Sequence, residues 1–194
     1  MDKVTLAYVI GLAIGDGNLS NPNGRAVRLR ITCDTKYPAL IKKIIKSIQE
    51  ILPENKVSMI NRAKTYIDIS CYSNKWENLL GWKAKNGSKF IQKVNIPDWI
   101  KNERKFKIAC LRGLFETDGA IYSDRGYQMA ILTTVIPSLA KSVEEIISSL
   151  GFAPHKYKIN PKHNSPTKNI KTTYHIRISK DASKFIKLIG INKK

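Results

Sequence analysis

Acidic residues are scarce in this sequence of 194 residues: 15 Asp and Glu stand against 34 Lys and Arg, for a formal net charge of +19. That excess is larger than solubility requires, so we expect an anionic partner. The sequence also lacks any stretch of about 18 uncharged apolar residues, and its basic residues do not gather on one amphipathic helix. These absences disfavour a membrane and favour nucleic acid as the partner.

Cysteine and histidine are also few. The cysteines are odd in number, lie far apart and form no CxxC pair. This spacing argues against a zinc site or a disulfide framework, so we expect the cysteines to be core residues. No histidine has a second histidine at metal-ligand spacing, and a secretory cleavage site is absent from the N-terminus. We therefore expect an intracellular protein, cytoplasmic or organellar. The residues concerned are Cys33, Cys71, Cys110, His155, His163 and His175.

The sequence contains an internal repeat. Residues 6–17, LAYVIGLAIGDG, align with residues 108–119, IACLRGLFETDG, at an offset of 102. Farther along, YIDISCYSNKWENLLG (66–81) aligns with HIRISKDASKFIKLIG (175–190) at an offset of 109. The order of matching segments is the same in both halves, so we predict a duplicated fold.

Each half is predicted to contain a helix, a hairpin, a helix, a second hairpin and a helix, from its alternating and helical hydrophobic periods. The predicted fold class is α+β, with the two copies related by a pseudo-twofold axis. We place the first repeat at residues 1–81, a basic linker at 82–103 and the second repeat at 104–194.

Small residues recur every four positions along the first helix of each half. Glycine inside a helix costs about 1 kcal/mol relative to alanine, and close approach of a second helix is the usual compensation. We therefore predict that the two helices pack together, which would bring Asp16 and Asp118 to one place. The predicted helix-interface residues are Ala7, Gly11, Ala109 and Gly113, continued by Gly15 and Thr117.

Each of these aspartates is predicted to lie in the last turn of its helix. A helix C-terminus already carries partial negative charge and disfavours an acid. A divalent cation would resolve the conflict, because carboxylates and terminal carbonyls are the hard oxygen ligands that Mg²⁺ prefers. We predict a metal site formed by Asp16, Asp118 and the carbonyls of Gly15 and Thr117, with Gly17 and Gly119 ending the helices.

The segments VIGLAIGDG (9–17) and LRGLFETDG (111–119) resemble the two motifs of the LAGLIDADG homing endonucleases, and the similarity spans nearly the whole chain. Two motifs in one chain resemble the monomeric, double-motif members. The resemblance implies paired αββαββα units, whose curved antiparallel sheets form a DNA-binding saddle, and no obligate protein partner. It also implies that a long asymmetric target is cut on both strands.

The same resemblance implies that Asp16 and Asp118 are the catalytic metal ligands, holding two or more Mg²⁺ ions for which Mn²⁺ can substitute. Glu116 is predicted to be a solvated or structural helix acid, without a required role in catalysis. Such enzymes often place Gln or Lys where the second long strand runs into its helix, whereas this sequence has other residues there: Cys33, Asp34, Thr133 and Thr134.

DNA recognition is predicted for the strands, because a two-stranded ribbon fits the major groove and presents alternate side chains to base edges. In RAVRLRIT (25–32), polar residues alternate with apolar ones. The basic loop 156–173 is expected to contact phosphates. The predicted DNA-binding residues are Arg25, Arg28, Arg30, Thr32, Asn61, Arg62, Lys64, Tyr66, Asp68, Tyr122, Ser123, Arg125, Tyr127, Gln128, Lys156, Lys158, His175 and Arg177.

Two alternatives remain open at this stage. An RNA maturase or a catalytically inactive DNA-binding relative would keep the fold and the charge, although the retention of both Asp16 and Asp118 argues against it. A basic structural or ribosome-associated protein would explain the charge but not the paired acids. Double-stranded DNA is the expected partner.

Overall fold

The computed structural model describes residues 1–160 and 171–191. Both halves have the predicted order of elements, with one additional short helix, α4, between them. The first half contains α1 (Lys3–Ile14), β1 (Gly17–Ser20), β2 (Arg28–Asp34), α2 (Pro38–Ile51), β3 (Val57–Ala63), β4 (Tyr66–Tyr72) and α3 (Trp76–Leu80). Between the halves lies α4 (Asp98–Asn102). The second half contains α5 (Arg104–Thr117), β5 (Gly119–Asp124), β6 (Tyr127–Thr134), α6 (Pro137–Ser149), β7 (His155–Ile159), β8 (Thr173–Ile178) and α7 (Ala182–Ile189).

Each half forms one antiparallel four-stranded sheet. The strand orders, β1-β2-β4-β3 and β5-β6-β8-β7, are the same in the two halves. All neighbouring strands in both sheets run antiparallel. The predicted α+β class and its duplication are therefore confirmed.

The helix boundaries follow local sequence signals. Pro38 and Pro137 begin α2 and α6, where proline fits because the first helical N–H has no intrahelical acceptor. Gly81 and Gly190 end α3 and α7 in left-handed conformations, with φ of 86° and 67°. Equivalent positions of the two repeats therefore receive the same start and stop signals.

Helix α1 lies at the centre of the core. Its residues from Leu6 to Ile14 are all buried, so the helix is enclosed on every side. The amphipathic helix α2 covers one face of the first sheet, and α6 covers the equivalent face of the second sheet. Trp76 and Phe185, which the repeat alignment makes equivalent, are both fully buried. The three cysteines lie in the core as predicted.

The segment between α3 and α4 is anchored as well as basic. Trp82, Val94 and Ile96 are buried in the same core as the repeats, and Ile100 of α4 is fully buried. A backbone held at several buried points can place a side chain of this segment at a fixed position. None of the helices within the described ranges combines the length and apolar character of a membrane span.

Candidate metal and DNA site

The two repeats meet where α1 packs on α5. A methyl group built on Gly11 would lie 2.1 Å from the carbonyl oxygen of Cys110, and one built on Gly113 would lie 2.3 Å from that of Tyr8. Both obstructions are backbone atoms, which cannot rotate away. Ala7 and Ala109 are buried along the same helices. The small side chains therefore allow a contact between two helix backbones.

The C-terminal ends of α1 and α5 also lie together. A methyl group on Gly15 would lie 2.0 Å from Oγ1 of Thr117 and 3.5 Å from the carboxyl carbon of Asp118. Asp16 directly follows Gly15 in the chain. The hydroxyl of Thr117 donates to the carbonyls of Gly113 and Leu114 in its own helix, at 3.0 Å each. The fold thus brings both repeat acids to the junction of the two helices.

Counted to its C-cap, helix α5 ends directly before Gly119, as the sequence predicts, whereas α1 ends one residue earlier relative to Gly17. The C-cap residues are Gly15 for α1 and Asp118 for α5, and Gly17 and Gly119 already begin strands. Neither glycine has a positive φ. A methyl group added to Gly17 would lie 2.4 Å from the carbonyl oxygen of Ala13. These glycines are therefore required for close packing against the preceding helix rather than for a left-handed cap.

Lys89, from the segment between α3 and α4, reaches the end of α1. Its ammonium donates to the carbonyls of Ala13 (3.2 Å), Ile14 (2.6 Å) and Gly15. Burial lowers the pKa of Lys89, whereas the carboxylates of Asp118 and Asp16 act in the opposite direction. The ammonium therefore interacts electrostatically with both acids and satisfies the helix carbonyls.

Lys89 is not among the site residues predicted from the sequence. The residue belongs to a stretch without repeat symmetry, so no equivalent in the other half draws attention to it. The sequence offers one weak signal for Lys89: the aromatic residue Phe90 directly follows it in an otherwise polar stretch that contains glycine and serine. The ammonium of Lys171 lies 3.9 Å from the centroid of the Phe90 ring, which is a cation–π contact.

Two clefts flank the paired helix ends. One, of about 230 Å³, is lined by Asp16, Glu116, Thr117 and the end of β2 at Thr32–Asp34. The other, of about 520 Å³, is lined by Gly15, Lys89, Asp118 and the end of β6 at Thr133–Thr134. Each cleft combines one repeat acid with the end of a central strand. Within residues 1–160 and 171–191, no group of three or more His, Cys, Asp or Glu is placed to hold a metal ion.

Each sheet has one face turned away from the helices, which we call the open face. In β2, Leu29 and Ile31 are buried in the core, so Arg28, Arg30 and Thr32 lie on the open face. Pairing across the sheets places further predicted DNA-binding residues on the same faces. These are Tyr66 and Asp68 in β4, Arg62 through its contact with Asp68, Tyr122 and Tyr127 in the β5–β6 hairpin, and His175 and Arg177 in β8.

Other predicted residues lie elsewhere. Strand register pairs Asn61 with Ile67, Ser123 with Gln128, Lys156 with Ile176 and Lys158 with Tyr174, which puts them on the helix side. The ammonium of Lys156 forms an ion pair with Glu144 of α6. Asn61, Ser123 and Gln128 therefore do not share a face with the neighbouring candidates, because the period of two depends on a register that the sequence does not fix. Lys156 and Lys158, predicted in a loop, lie instead in strand β7, and their contact with DNA stays a prediction. Arg25 precedes β2, and Lys64 and Arg125 lie in hairpin turns.

The open face of the second sheet has an aromatic and basic cluster. The rings of Tyr157 and His175 are stacked with centroids 5.0 Å apart, and the Arg177 guanidinium lies 6.0 Å from the Tyr157 centroid. Thr133 and Thr173 lie within hydrogen-bonding distance of the two ring nitrogens of His175. Of the basic loop predicted at 156–173, residues 161–170, including His163, lie outside the described residues.

These features define a class of protein: a duplicated α+β chain whose repeats join through two glycine-containing helices, with an acid at each helix end. The family model described as "LAGLIDADG-like domain" matches residues 105–190. Residues 105–190 therefore form a LAGLIDADG-like domain, and the first repeat has the same order of helices and strands.

Solved structures share this fold. The chain is similar to the homing endonuclease I-DmoI in complex with DNA and Mn, with 20% identity, a TM-score of 0.67 and 96% coverage of both chains. It is also similar to full-length DUF199/WhiA from Thermatoga maritima, with 14% identity and a TM-score of 0.65, over 98% of this chain and 56% of that one. At these identities the likeness concerns the fold alone.

Two curated relatives are more similar in sequence. A protein named DNA polymerase from Thermococcus hydrothermalis is 29% identical over 195 residues, which include 96% of this chain. Another DNA polymerase, from Thermococcus sp. (strain GE8), is 30% identical over 202 residues. The chain spans 11% of the length of either relative. The match therefore concerns one segment of those proteins.

Proposed function

We propose that this chain is a site-specific homing endonuclease, which makes a double-strand break in a long asymmetric DNA target by metal-dependent phosphodiester hydrolysis. The observation that carries the proposal is the meeting of the α1 and α5 ends, which brings Gly15 against Thr117 and Asp118. Lys89 interacts with both Asp16 and Asp118 at that junction. In this proposal, two acids from different repeats act at one site.

The residues at the junction suit a divalent cation. Both acids stand where helix ends already concentrate negative charge, and carboxylate oxygens are hard ligands. In this proposal Asp16 and Asp118 hold Mg²⁺, with Mn²⁺ able to substitute. The carbonyl of Gly15 accepts from Lys89, so the carboxylates are the stronger candidates. When bound, such an ion supplies an activated water and charge relief at the leaving 3′ oxygen.

DNA would lie along the open faces of the two sheets. The formal charge of +19 supports binding to a polyanion, and Arg28, Arg30, Arg62 and Arg177 all lie on those faces. A β ribbon in the major groove can read bases through alternate side chains. Because the two sheets carry different side chains, the two halves of the target would differ in sequence. The structurally similar I-DmoI forms complexes with DNA and Mn and with DNA and Ca, which supports the same partner here.

A second candidate is a relative that binds DNA, or RNA as a maturase does, without cutting DNA. One observation favours it: the ammonium of Lys89 already places a positive charge at the end of α1, beside both acids. In such a protein the lysine would replace the cation rather than cooperate with it. The paired acids would then be structural partners of Lys89.

Cleavage of a randomised duplex DNA library distinguishes the two candidates. We expect the full chain to enrich a defined sequence and to cut both strands within it when Mg²⁺ is present. With EDTA instead, binding should remain while cutting stops. Sequence-specific binding without any cutting in Mg²⁺ or Mn²⁺ would support the second candidate. Absence of sequence-specific DNA binding would contradict the proposed function.

A further inference from the structure

Asp68 is a buried acid on the open face of the first sheet. It lies in the middle of β4 with only 2% of its surface exposed, although that face carries none of the apolar core. A buried carboxylate is costly unless hydrogen bonds and opposite charges compensate for its lost hydration. Hydrogen-bond donors and positive charges are therefore expected around the Asp68 carboxylate.

Three residues of the open face surround its carboxylate. The Thr32 hydroxyl donates to Oδ1 at 2.8 Å, and Nε of Arg62 donates to Oδ2 at 2.5 Å. Nη1 of Arg30 lies 3.8 Å from Oδ2. Burial raises the pKa of Asp68, but the hydrogen bonds from Arg62 and Thr32 and the nearby arginine charges outweigh it, so the pKa falls below its ordinary value.

This arrangement fixes the direction of Arg62. Its Nε donor is used by Asp68, while about half of the side chain, 53%, remains exposed. The terminal Nη donors are the part of a guanidinium that can form two parallel hydrogen bonds to O6 and N7 of guanine. A free arginine side chain would lose rotamer freedom on binding, and a prior bond to Asp68 reduces that loss.

The second sheet lacks this arrangement. The repeat alignment at an offset of 109 places Arg177 at the position equivalent to Asp68. Arg177 lies on the open face, near the Tyr157 ring, and its Nε is buried without a hydrogen bond among the described residues. An orienting acid is therefore specific to the first sheet at this position.

We propose that Asp68 is a positioning residue for base recognition, which holds Arg62 in the orientation that reads a guanine in the major groove of one half of the target. Arg30 shares the same carboxylate and provides a second positive charge beside that base. This inference deepens the proposed function and rests on it. Asp68 itself makes no contact with DNA in this proposal.

The test is a binding selection from a randomised duplex DNA library in EDTA, where no cleavage occurs. The unsubstituted chain should prefer guanine at one or two adjacent base pairs in one half of its site. A good bidentate contact corresponds to roughly 5- to 150-fold discrimination. Asp68→Asn and Arg62→Gln should each reduce that preference to within about 3-fold at the same base pairs. The double variant should resemble either single one, because both changes disable one unit.

Glu145→Gln is the matched control, since it removes one negative charge from the exposed side of α6, which lies on the helix side of the other sheet. It should leave the guanine preference unchanged. The inference is overturned if Arg62→Gln keeps the wild-type preference, or if Asp68→Asn weakens all sequences equally while lowering the melting temperature. Loss of preference in both halves would overturn it too. A wild type that enriches no sequence would contradict the proposed function as well, whereas unchanged preferences in the variants contradict only this inference.

Discussion

The Tyr8 hydroxyl donates a 2.6 Å hydrogen bond to Oε2 of Glu116, across the interface between the two repeats. Lys43 of α2 completes the cluster, with its ammonium 2.8 Å from Oε1 of Glu116 and 4.4 Å from the Tyr8 ring centroid. Burial and the neighbouring Glu116 charge raise the pKa of Tyr8, so the phenol stays protonated and donates. The structural helix acid predicted at position 116 thus connects three helices.

We predict that Tyr8→Phe destabilises the protein without changing its surface. The substitution leaves the Glu116 carboxylate buried with one donor fewer. Hydrogen bonds to charged groups contribute about 1.5–3 kcal/mol, so the free energy of unfolding should fall by about that amount in urea titrations. Tyr127→Phe, at an exposed position of β6, should change it by less than about 0.5 kcal/mol. Equal effects of the two substitutions would contradict a role for the buried hydrogen bond.

We predict that Gly113→Ala and Gly11→Ala separate the α1 and α5 backbones. The added methyl groups would meet the carbonyl oxygens of Tyr8 and Cys110, at 2.3 Å and 2.1 Å. Overpacking of a core typically lowers the free energy of unfolding by about 1–3 kcal/mol. Here the added methyl groups meet backbone atoms, which cannot move aside by changing a rotamer. The melting temperature should therefore fall, whereas Lys42→Ala on the exposed side of α2 should leave it nearly unchanged. A melting temperature unaffected by either glycine substitution would exclude close helix contact.

Much of this fold could be predicted from sequence because its strongest signals are repeated. The motifs ending in Asp16 and Asp118 share glycines that only a close helix contact explains, and duplication makes each copy support the other. The placement of Lys156 and Lys158 could not be predicted, because the β7 sequence HKYKI has polar residues on both faces and little to specify its register. Lys89 depends on tertiary anchoring of its segment by Val94 and Ile96, which no local pattern encodes.

We predict that Asp16→Asn and Asp118→Asn each abolish double-strand cutting and spare DNA binding. Each substitution replaces a charged metal ligand with a neutral amide of the same size, so cation affinity falls while the open faces are unchanged. Double-strand cleavage of the selected target should fall by more than about 100-fold in Mg²⁺. Binding, measured by gel shift in EDTA, should stay within about 3-fold of wild type.

Glu145→Gln again provides the control for loss of one acidic charge. It should cut at the wild-type rate, because Glu145 is exposed on α6, away from the open faces and from both clefts that contain Asp16 and Asp118. Full activity of either Asp16→Asn or Asp118→Asn would contradict the proposed role of that residue as a metal ligand.

Lys89→Met distinguishes a lysine that assists the cation from one that replaces it. Loss of an ammonium beside two carboxylates strengthens their attraction for Mg²⁺, so half-maximal cleavage should need less Mg²⁺. If Lys89 positions the α1 end for catalysis, the maximal rate should nevertheless fall, by roughly 10- to 100-fold, and Lys89→Arg should recover part of it. Lys85→Met, an exposed lysine of the same segment, should change neither quantity. A wild type that does not cut, together with a Lys89→Met variant that does, would show that the ammonium occupies the place of the cation.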